Sequence, residues 1–184
     1  MVDWPHSPPH RVSSSGVYMV TAATYQKRPI FNSAQKLDFL QKGLLEVCEK
    51  HQARLEAWAV FPNHYHFIGT TWRAGSIRTI VSDLHAFTAR GVNRIDGINR
   101  RQVWFQYWDT LITVQRAYFA RLRYVYENAV GHGVARDAAS YRWCSAGWFE
   151  RKTTPSFRKT ISSFPIARLQ ARDDFDVDAA DLLD

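Results

Sequence analysis

Apolar residues recur along the first 130 residues with two spacings, one typical of strands and one typical of helices. Runs of β-branched and aromatic residues predict strands, and recurrences at three and four positions predict helices. We expect Ser33 to cap the first helix by accepting a hydrogen bond from the backbone of Lys36. The predicted strands are 16–24, 55–60, 64–70 and 103–114. The predicted helices are 33–50, 76–92 and 117–129.

These elements follow one another in the order β-α-β-β-α-β-α. This order indicates an α+β domain with a ferredoxin-like or RRM-like arrangement, in which helices pack on an antiparallel sheet and two of them share one face. We expect a flexible N-terminal arm at residues 1–15, the folded domain at 16–150 and a C-terminal tail at 151–184. The tail is predicted because this part of the chain is polar and ends in an acidic segment.

The distribution of charge points to a polyanionic partner. The chain has a formal charge of +7, yet residues 173–184 contain six Asp and no Lys or Arg, so the rest of the chain carries +13. A body this basic favours nucleic acid, although a solvated basic surface has the same composition. No apolar run is long enough to span a membrane, and the N-terminus lacks the apolar stretch of a signal peptide. We therefore expect a cytoplasmic, nucleoid-associated protein without membrane contact.

Two histidines in the third predicted strand are candidate metal ligands. His64 and His66 project from one face of the strand, whereas Tyr65 and Phe67 project from the other, into the expected core. Two imidazoles this close are able to share one divalent cation, but ordinary buried histidines also occur at this spacing. The sequence lacks the downstream Asp and His of a metallo-hydrolase, and it lacks the second strand expected of a two-histidine RNA-cleaving enzyme.

The last predicted helix carries a tyrosine and an amide beside its apolar stripe. At 100° per residue, this stripe consists of Tyr118, Leu122, Val125 and Ala129. Arg121, Tyr124 and Asn128 cluster on the neighbouring flank, because positions three and four apart are adjacent on a helix. Tyr124 thus presents a phenol next to a guanidinium and an amide oxygen. For this residue alone, a tyrosine at a helix boundary with its hydroxyl in water is the simpler interpretation.

Four motifs occur in order along the chain: FPNHYHF at 61–67, VWFQYWD at 103–109, YVYENAV at 124–130 and YRWCS at 141–145. They resemble the Met-Pro-Asn-His-x-His-hydrophobic, Val-Trp-Gln-x-x-Phe-Asp, Tyr-Ile-x-x-Asn-Pro-Val and Tyr-x-Trp-Ser-Ser elements of the REP-associated tyrosine transposases, within the HUH single-tyrosine transposases. The similarity covers residues 16–148. The departures are Phe61 for Met, Ala129 for Pro and Cys144 for the first Ser. None of them removes a residue with catalytic chemistry.

This resemblance implies a metal-dependent enzyme that cleaves and rejoins single-stranded DNA beside a hairpin formed by a palindromic repeat. In such an enzyme Tyr124 is the nucleophile, and His64, His66 and the side-chain oxygen of Asn128 hold Mg²⁺ or Mn²⁺. Attack by the phenol gives a 5′-phosphotyrosine and a free 3′-OH, and the covalent bond retains the energy needed for rejoining. The REP-associated branch implies a monomer with the tyrosine acting in cis, whereas related transposases form dimers with the tyrosine supplied in trans.

Arginines and aromatic residues are candidates for contacts to DNA. The predicted phosphate-binding residues are Arg73, Arg78, Arg90, Arg101 and Arg121. Four aromatic residues either stack on unpaired bases or belong to the core: Trp72, Trp104, Tyr107 and Trp108. The acidic segment at 173–184 either competes with DNA for the basic surface or is a solvated end.

Two other functions fit the same residues. One is a non-catalytic RRM-like module that binds nucleic acid and whose histidine pair is structural. The other is a metal-dependent hydrolase of small phosphoesters, which would not need the tyrosine.

Overall fold

The strands and helices follow one another in the predicted order. A computed structural model describes residues 15–73 and 75–166, together with Leu169, Phe175 and Val177. In this part of the chain the strands are β1 (Gly16–Thr24), β2 (Arg54–Val60), β3 (His64–Thr71) and β4 (Trp104–Ile112). The α-helices are α1 (Ala34–Lys50), α2 (Ser76–Ile95), α3 (Gln115–Gly131), α4 (Ala146–Lys152) and α5 (Pro155–Ser162). Of the predicted N-terminal arm, residues 1–14 lie outside the described residues.

The four strands form one antiparallel sheet in the order β2-β3-β1-β4. One helix follows β1 and one follows β3, which together with this strand order is the ferredoxin-like arrangement. The predicted α+β fold class is therefore confirmed. β1 and β3 are the two interior strands. Each is hydrogen-bonded along both edges, which holds its side chains at fixed positions. In the ladder between them, Thr21 of β1 lies directly opposite His66 of β3.

Helices cover both faces of the sheet. Residues Val20 and Phe67 pack into the core with α1 and α2, whereas Met19 and Ile68 pack with α3 on the opposite face. Neighbouring residues enter different cores because successive side chains of a strand point to opposite faces. All eight residues of β3 are buried. Any side chain that leaves β3 on the α3 side is therefore enclosed between the sheet and that helix.

The helix ends explain where the periodic pattern starts and stops. At the start of α1, the Lys36 N–H donates to Ser33 Oγ over 3.4 Å, which confirms the predicted cap. α3 begins two residues before the predicted helix and continues two residues beyond it, as far as Gly131. It ends because Gly133 adopts a positive φ of 71°, a conformation that glycine adopts without steric cost. His132 is consequently the C-cap of α3.

Part of the segment predicted as a tail is helical and packs on the domain. Thr154 Oγ1 accepts from the Phe157 N–H at the start of α5, and Ile161 of the same helix is buried in the core under α3. Farther along, only Leu169, Phe175 and Val177 are described, so most of the acidic segment lies outside the described residues. None of the described helices is both long and apolar enough to cross a membrane.

Candidate active site

The two histidines of β3 lie side by side beneath α3. His64 and His66 are both fully buried, and their ring centroids are 4.9 Å apart with the planes inclined by 73°. They leave the same face of β3 because they are two positions apart. Tyr65, between them, enters the core under α1 and α2, as the alternation predicts. The strand thus delivers two imidazoles to one point of the α3 face.

Hydrogen bonds at Nδ1 fix the orientation of both rings. His66 Nδ1 and Thr21 Oγ1 share a hydrogen bond of 2.8 Å across the ladder between β1 and β3. His64 Nδ1 donates to Asn63 Oδ1 over 2.7 Å. The bend that precedes β3 is closed by the Phe61 N–H, which donates to the His64 carbonyl over 2.9 Å. These contacts orient both imidazoles before any ligand arrives.

Helix α3 brings the predicted nucleophile to this pair within one chain. The ring centroid of Tyr124 lies 5.4 Å from that of His66, with the planes inclined by 78°. Asn128 follows one turn later on the same flank of the helix and is buried. Leu122 and Val125, two residues of the predicted apolar stripe, hold α3 in place by packing in the core beneath it.

A third imidazole, which the sequence pattern did not single out, completes the cluster. His132 lies at the C-terminal end of α3, with its ring centroid 4.8 Å from that of His64. One ring nitrogen from each of His64, His66 and His132 lies within 4.8 Å of the others. The signal was present in the sequence, since residue 132 follows Asn128 by one helical turn. It was missed because the helix was expected to stop at residue 129.

Aromatic rings enclose His64. Phe61 stacks on it with centroids 4.6 Å apart and planes inclined by 17°, so the Phe that stands where the resembled motif has Met packs directly on a ligand candidate. Phe175, from the C-terminal segment, also stacks on His64 at 4.6 Å, and it is buried. Lys27 places its ammonium 5.3 Å from the centroid of the Phe175 ring. The C-terminal segment therefore reaches the histidine cluster.

Helical spacing puts Arg121 on the Tyr124 flank of α3. Arg121 lies three residues before Tyr124, and its Nη1 donates to the Ala117 carbonyl over 3.3 Å. Burial lowers the pKa of the Arg121 guanidinium, which still stays protonated because its ordinary pKa is above 12. The guanidinium of Arg123, in contrast, forms an ion pair with Glu127 at 2.9 Å.

The sequence comparison identifies the family. The profile of the family described as "Transposase IS200 like" matches residues 12–125, more than half of the chain, and this span includes His64, His66 and Tyr124. The chain belongs to the IS200-like transposases. It is accordingly a DNA nicking and rejoining enzyme. No curated protein matches its sequence.

Two solved structures are similar to this transposase. The first is a REP-associated tyrosine transposase bound to a REP hairpin, with a TM-score of 0.64 and 16% identity over 96% of each chain. The second is a Deinococcus radiodurans protein described as a transposase, 17% identical, which covers 67% of this chain and 97% of its own, with a TM-score of 0.46. At 16% identity, the first supports the fold alone.

The arginines predicted to bind phosphates occupy different environments in this transposase. Arg73, Arg78 and Arg90 are exposed, the last two on α2. Because α2 and the histidine cluster lie on opposite faces of the sheet, the structure does not bring these two arginines to the cluster. Arg101 is half-buried, and it donates to Asn93 Oδ1 over 2.9 Å and to Asp96 Oδ2 over 2.7 Å. Its guanidinium thus stabilises the loop that follows α2.

The four aromatic candidates for base stacking also differ in how far they are exposed. Trp72 is 63% exposed at the end of β3, where its ring is accessible to a base. Trp104 is buried, stacks on Phe31 at 5.3 Å and donates from Nε1 to Thr88 Oγ1 over 3.0 Å. Trp104 is therefore a core residue, while Tyr107 and Trp108 are partly buried on β4.

Proposed function

We propose that this transposase cleaves and rejoins single-stranded DNA beside a hairpin through a 5′-phosphotyrosine at Tyr124, with a divalent cation held by His64, His66 and Asn128. The observation that carries the proposal is the contact between the rings of Tyr124 and His66 in one chain. A nucleophile and two cation ligands from elements far apart in sequence meet at one point. The chemistry of covalent strand cleavage requires this meeting.

The residues present fit a divalent cation. Two imidazoles and an amide oxygen are ligands that Mn²⁺ accepts readily, and Mg²⁺ accepts chiefly through oxygen. The hydrogen bonds of His64 and His66 use Nδ1, so each ring would bind the cation through Nε2. Ligating histidines are commonly oriented through their second ring nitrogen in this way. When bound, the ion offsets the negative charge that develops on the scissile phosphate.

The reaction balances as two exchanges at one phosphorus atom. In the first, the Tyr124 phenolate oxygen forms a bond to phosphorus, the bond from phosphorus to the 3′ oxygen breaks, and that oxygen leaves as a 3′-OH after taking up a proton. In the second, a 3′-OH attacks the same phosphorus, the bond to the tyrosine oxygen breaks, and the phenol is restored. One phosphodiester is broken and one is formed, so no external energy source is needed.

The positive charge of Arg121 favours the phenolate of Tyr124. A free tyrosine has a pKa of about 10, so few molecules are ionised near neutrality. A guanidinium on the same helix flank lowers the energy of the anion by Coulombic attraction, more so in a partly buried position than in water. The proposed role of Arg121 is to stabilise this anion.

A hairpin substrate is supported by the fold and by the charge. The similar structure of a REP-associated tyrosine transposase is bound to a REP hairpin, and the two chains superpose over 96% of their lengths. The chain up to residue 172 carries a formal charge of +13, which suits a DNA partner in the cytoplasm, at the nucleoid. The contact of Tyr124 with His66 inside one chain supports cleavage by a monomer in cis.

A labelled hairpin with a single-stranded flank tests the proposal. Incubated with the full chain and Mn²⁺, it should give a covalent protein–DNA band that survives denaturing electrophoresis. Tyr124→Phe should abolish the band, because it lacks the attacking oxygen. Tyr118→Phe is the matched control, since Tyr118 lies on the same helix but donates to Glu56 Oε2 over 3.5 Å, and it should keep the band.

The other results of this experiment identify the alternatives. DNA binding without a covalent band, at any Mn²⁺ concentration, would contradict the proposal in favour of a non-catalytic RRM-like module. Cleavage that persists at the normal rate in Tyr124→Phe would contradict it in favour of a metal-dependent phosphoester hydrolase.

A further inference from the structure

We infer that His132 is a third imidazole ligand of the cation, and that it makes the site select a first-row transition-metal ion over Mg²⁺. This inference rests on the cation site of the proposed function. It concerns the identity of the metal rather than the reaction.

The helix end places His132 beside the other ligand candidates. The backbone N–H of His132 donates to the Asn128 carbonyl over 2.9 Å, so the two residues are one turn apart on the same side of α3. The rings of His132 and His64 are 4.8 Å apart with planes inclined by 66°. Two elements, β3 and the end of α3, thus direct three imidazoles to one cluster.

The separations of the ring nitrogens are compatible with one ion after a small movement. All three lie within 4.8 Å of one another. Imidazole nitrogens sit about 2.0–2.1 Å from a transition metal, so two ligands of one ion are at most roughly 4 Å apart. His132 is half-buried at the end of its helix, next to Gly133 with its positive φ. The gap between 4.8 Å and about 4 Å is small enough for a slight side-chain movement at this half-buried position to close.

The buried ring of Phe61 contacts both His64 and His132. Phe61 stacks on His64 at 4.6 Å and meets His132 edge-on at 4.9 Å, with planes inclined by 65°. Phe61 is itself held by stacking on Tyr141 at 5.4 Å. Both imidazoles consequently pack against the same ring.

The chemistry of three imidazoles determines the preferred metal. Mg²⁺ prefers oxygen ligands and strict octahedral geometry, whereas imidazole suits Mn²⁺, Co²⁺ and Zn²⁺ progressively better. With His64, His66 and Asn128 alone, the site accepts either class of ion. Addition of His132 replaces an oxygen position by nitrogen and favours the transition metals. A six-coordinate ion would still keep two positions for a phosphate oxygen and water.

Metal binding by the chain in the absence of DNA tests the inference. The full chain is stripped with a chelator and titrated calorimetrically with Mn²⁺ and, separately, Mg²⁺. His132→Ala should weaken Mn²⁺ binding by roughly 10- to 100-fold, the loss seen even for groups that only support a ligand. It should weaken Mg²⁺ binding by less than about threefold, because Mg²⁺ gains little from imidazole. His51→Ala, whose ring pairs with Asp83 at 2.9 Å, is the control and should change neither.

A spectroscopic count of ligands keeps the test independent of how the variant folds. Pulsed electron paramagnetic resonance on Mn²⁺ bound to the unaltered chain should show couplings to three imidazole nitrogens. Two couplings, or an Mn²⁺ affinity that is the same in His132→Ala as in the unaltered chain, would overturn the inference. His64→Ala separates this failure from that of the proposed function: if it also binds Mn²⁺ normally, the cation site itself is wrong.

Discussion

Histidines lie on both faces of the sheet, but in different surroundings: His64 and His66 are buried and His85 is half-buried. His85 of α2 stacks on Trp104 with centroids 4.4 Å apart and shares a hydrogen bond of 2.9 Å with the Tyr65 hydroxyl. Burial lowers the pKa of His85 to about 3, so it is neutral at any ordinary pH. Under α3, His64 and His66 are hydrogen-bonded at Nδ1 by polar side chains from the bend and from β1.

The comparison shows that histidines on the two faces of one sheet have different neighbours. His85 belongs to an aromatic layer of the core, and its partner Tyr65 comes from the same strand as the histidine pair. The pair differs because its two imidazoles lie side by side and a third, His132, lies beside them. Because side chains of β3 alternate between the faces, Tyr65 lies on the face of His85 and the histidine pair lies on the opposite face.

The largest effect is expected on the α3 face. His64→Ala should slow formation of the covalent adduct by about a thousandfold or more, because loss of a bound metal removes several kcal/mol of transition-state stabilisation. DNA affinity in a filter-binding assay should stay within about threefold, because phosphate contacts elsewhere supply it. If affinity falls in parallel with cleavage, the pair is structural and the two faces do not differ as described.

A smaller loss should follow when only the orientation of His66 is disturbed. Thr21→Val keeps the shape of the side chain but removes the hydrogen bond to His66 Nδ1. Metal affinity should fall by roughly 10- to 100-fold, as for other groups that orient a ligand. Thr21→Ser retains the hydroxyl and should restore most of the affinity in the same titration. Equal affinities for the Val and Ser variants would contradict an orienting role.

On the other face, a change at His85 should alter the pH dependence of stability. The folded pKa of about 3 lies below the ordinary 6.5, so between these values the unfolded chain binds a proton that the folded chain does not. Stability contributed by neutral His85 is therefore lost as pH falls through this window. His85→Gln removes this loss, and the stability difference from the unaltered chain should change by about 1–3 kcal/mol between pH 7 and 4.5.

Urea denaturation at the two pH values provides the measurement for His85. The adduct yield per folded molecule should be unchanged in His85→Gln, because this ring belongs to α2 and lies outside the histidine cluster. A stability difference that is the same at both pH values would show that His85 is not held neutral by the fold.

The smallest effect concerns the exposed arginines of α2. Arg78→Gln should reduce the slope of log affinity against log salt concentration by about 1 if this residue contacts a phosphate. The matched change Arg101→Gln should instead lower the melting temperature, because Arg101 is bonded to Asn93 and Asp96. An unchanged slope for Arg78→Gln would exclude this residue from the DNA-binding surface.

The sequence predicted the fold class because strand and helix periods are local properties. The same alternation separated His64 and His66 from Tyr65. Motif similarity, rather than periodicity, singled out Tyr124. His132 was missed because glycines at 131 and 133 suggested an earlier helix end, whereas only Gly133 adopts a positive φ. The contact of Phe175 with His64 joins distant parts of the chain, which no local pattern reveals. The bonds of Arg101 to Asn93 and Asp96 depend on how the loop after α2 folds back on the helix end.

Mass spectrometry of the covalent adduct tests the central claim most directly. The full chain is incubated with an oligonucleotide hairpin and Mn²⁺, digested with nuclease and protease, and searched for peptides that carry a 5′-nucleotide. The account predicts a single modified residue, Tyr124, linked through its phenolic oxygen to a 5′ phosphate. A nucleotide attached to any other residue, or to the 3′ end of the DNA, would contradict it.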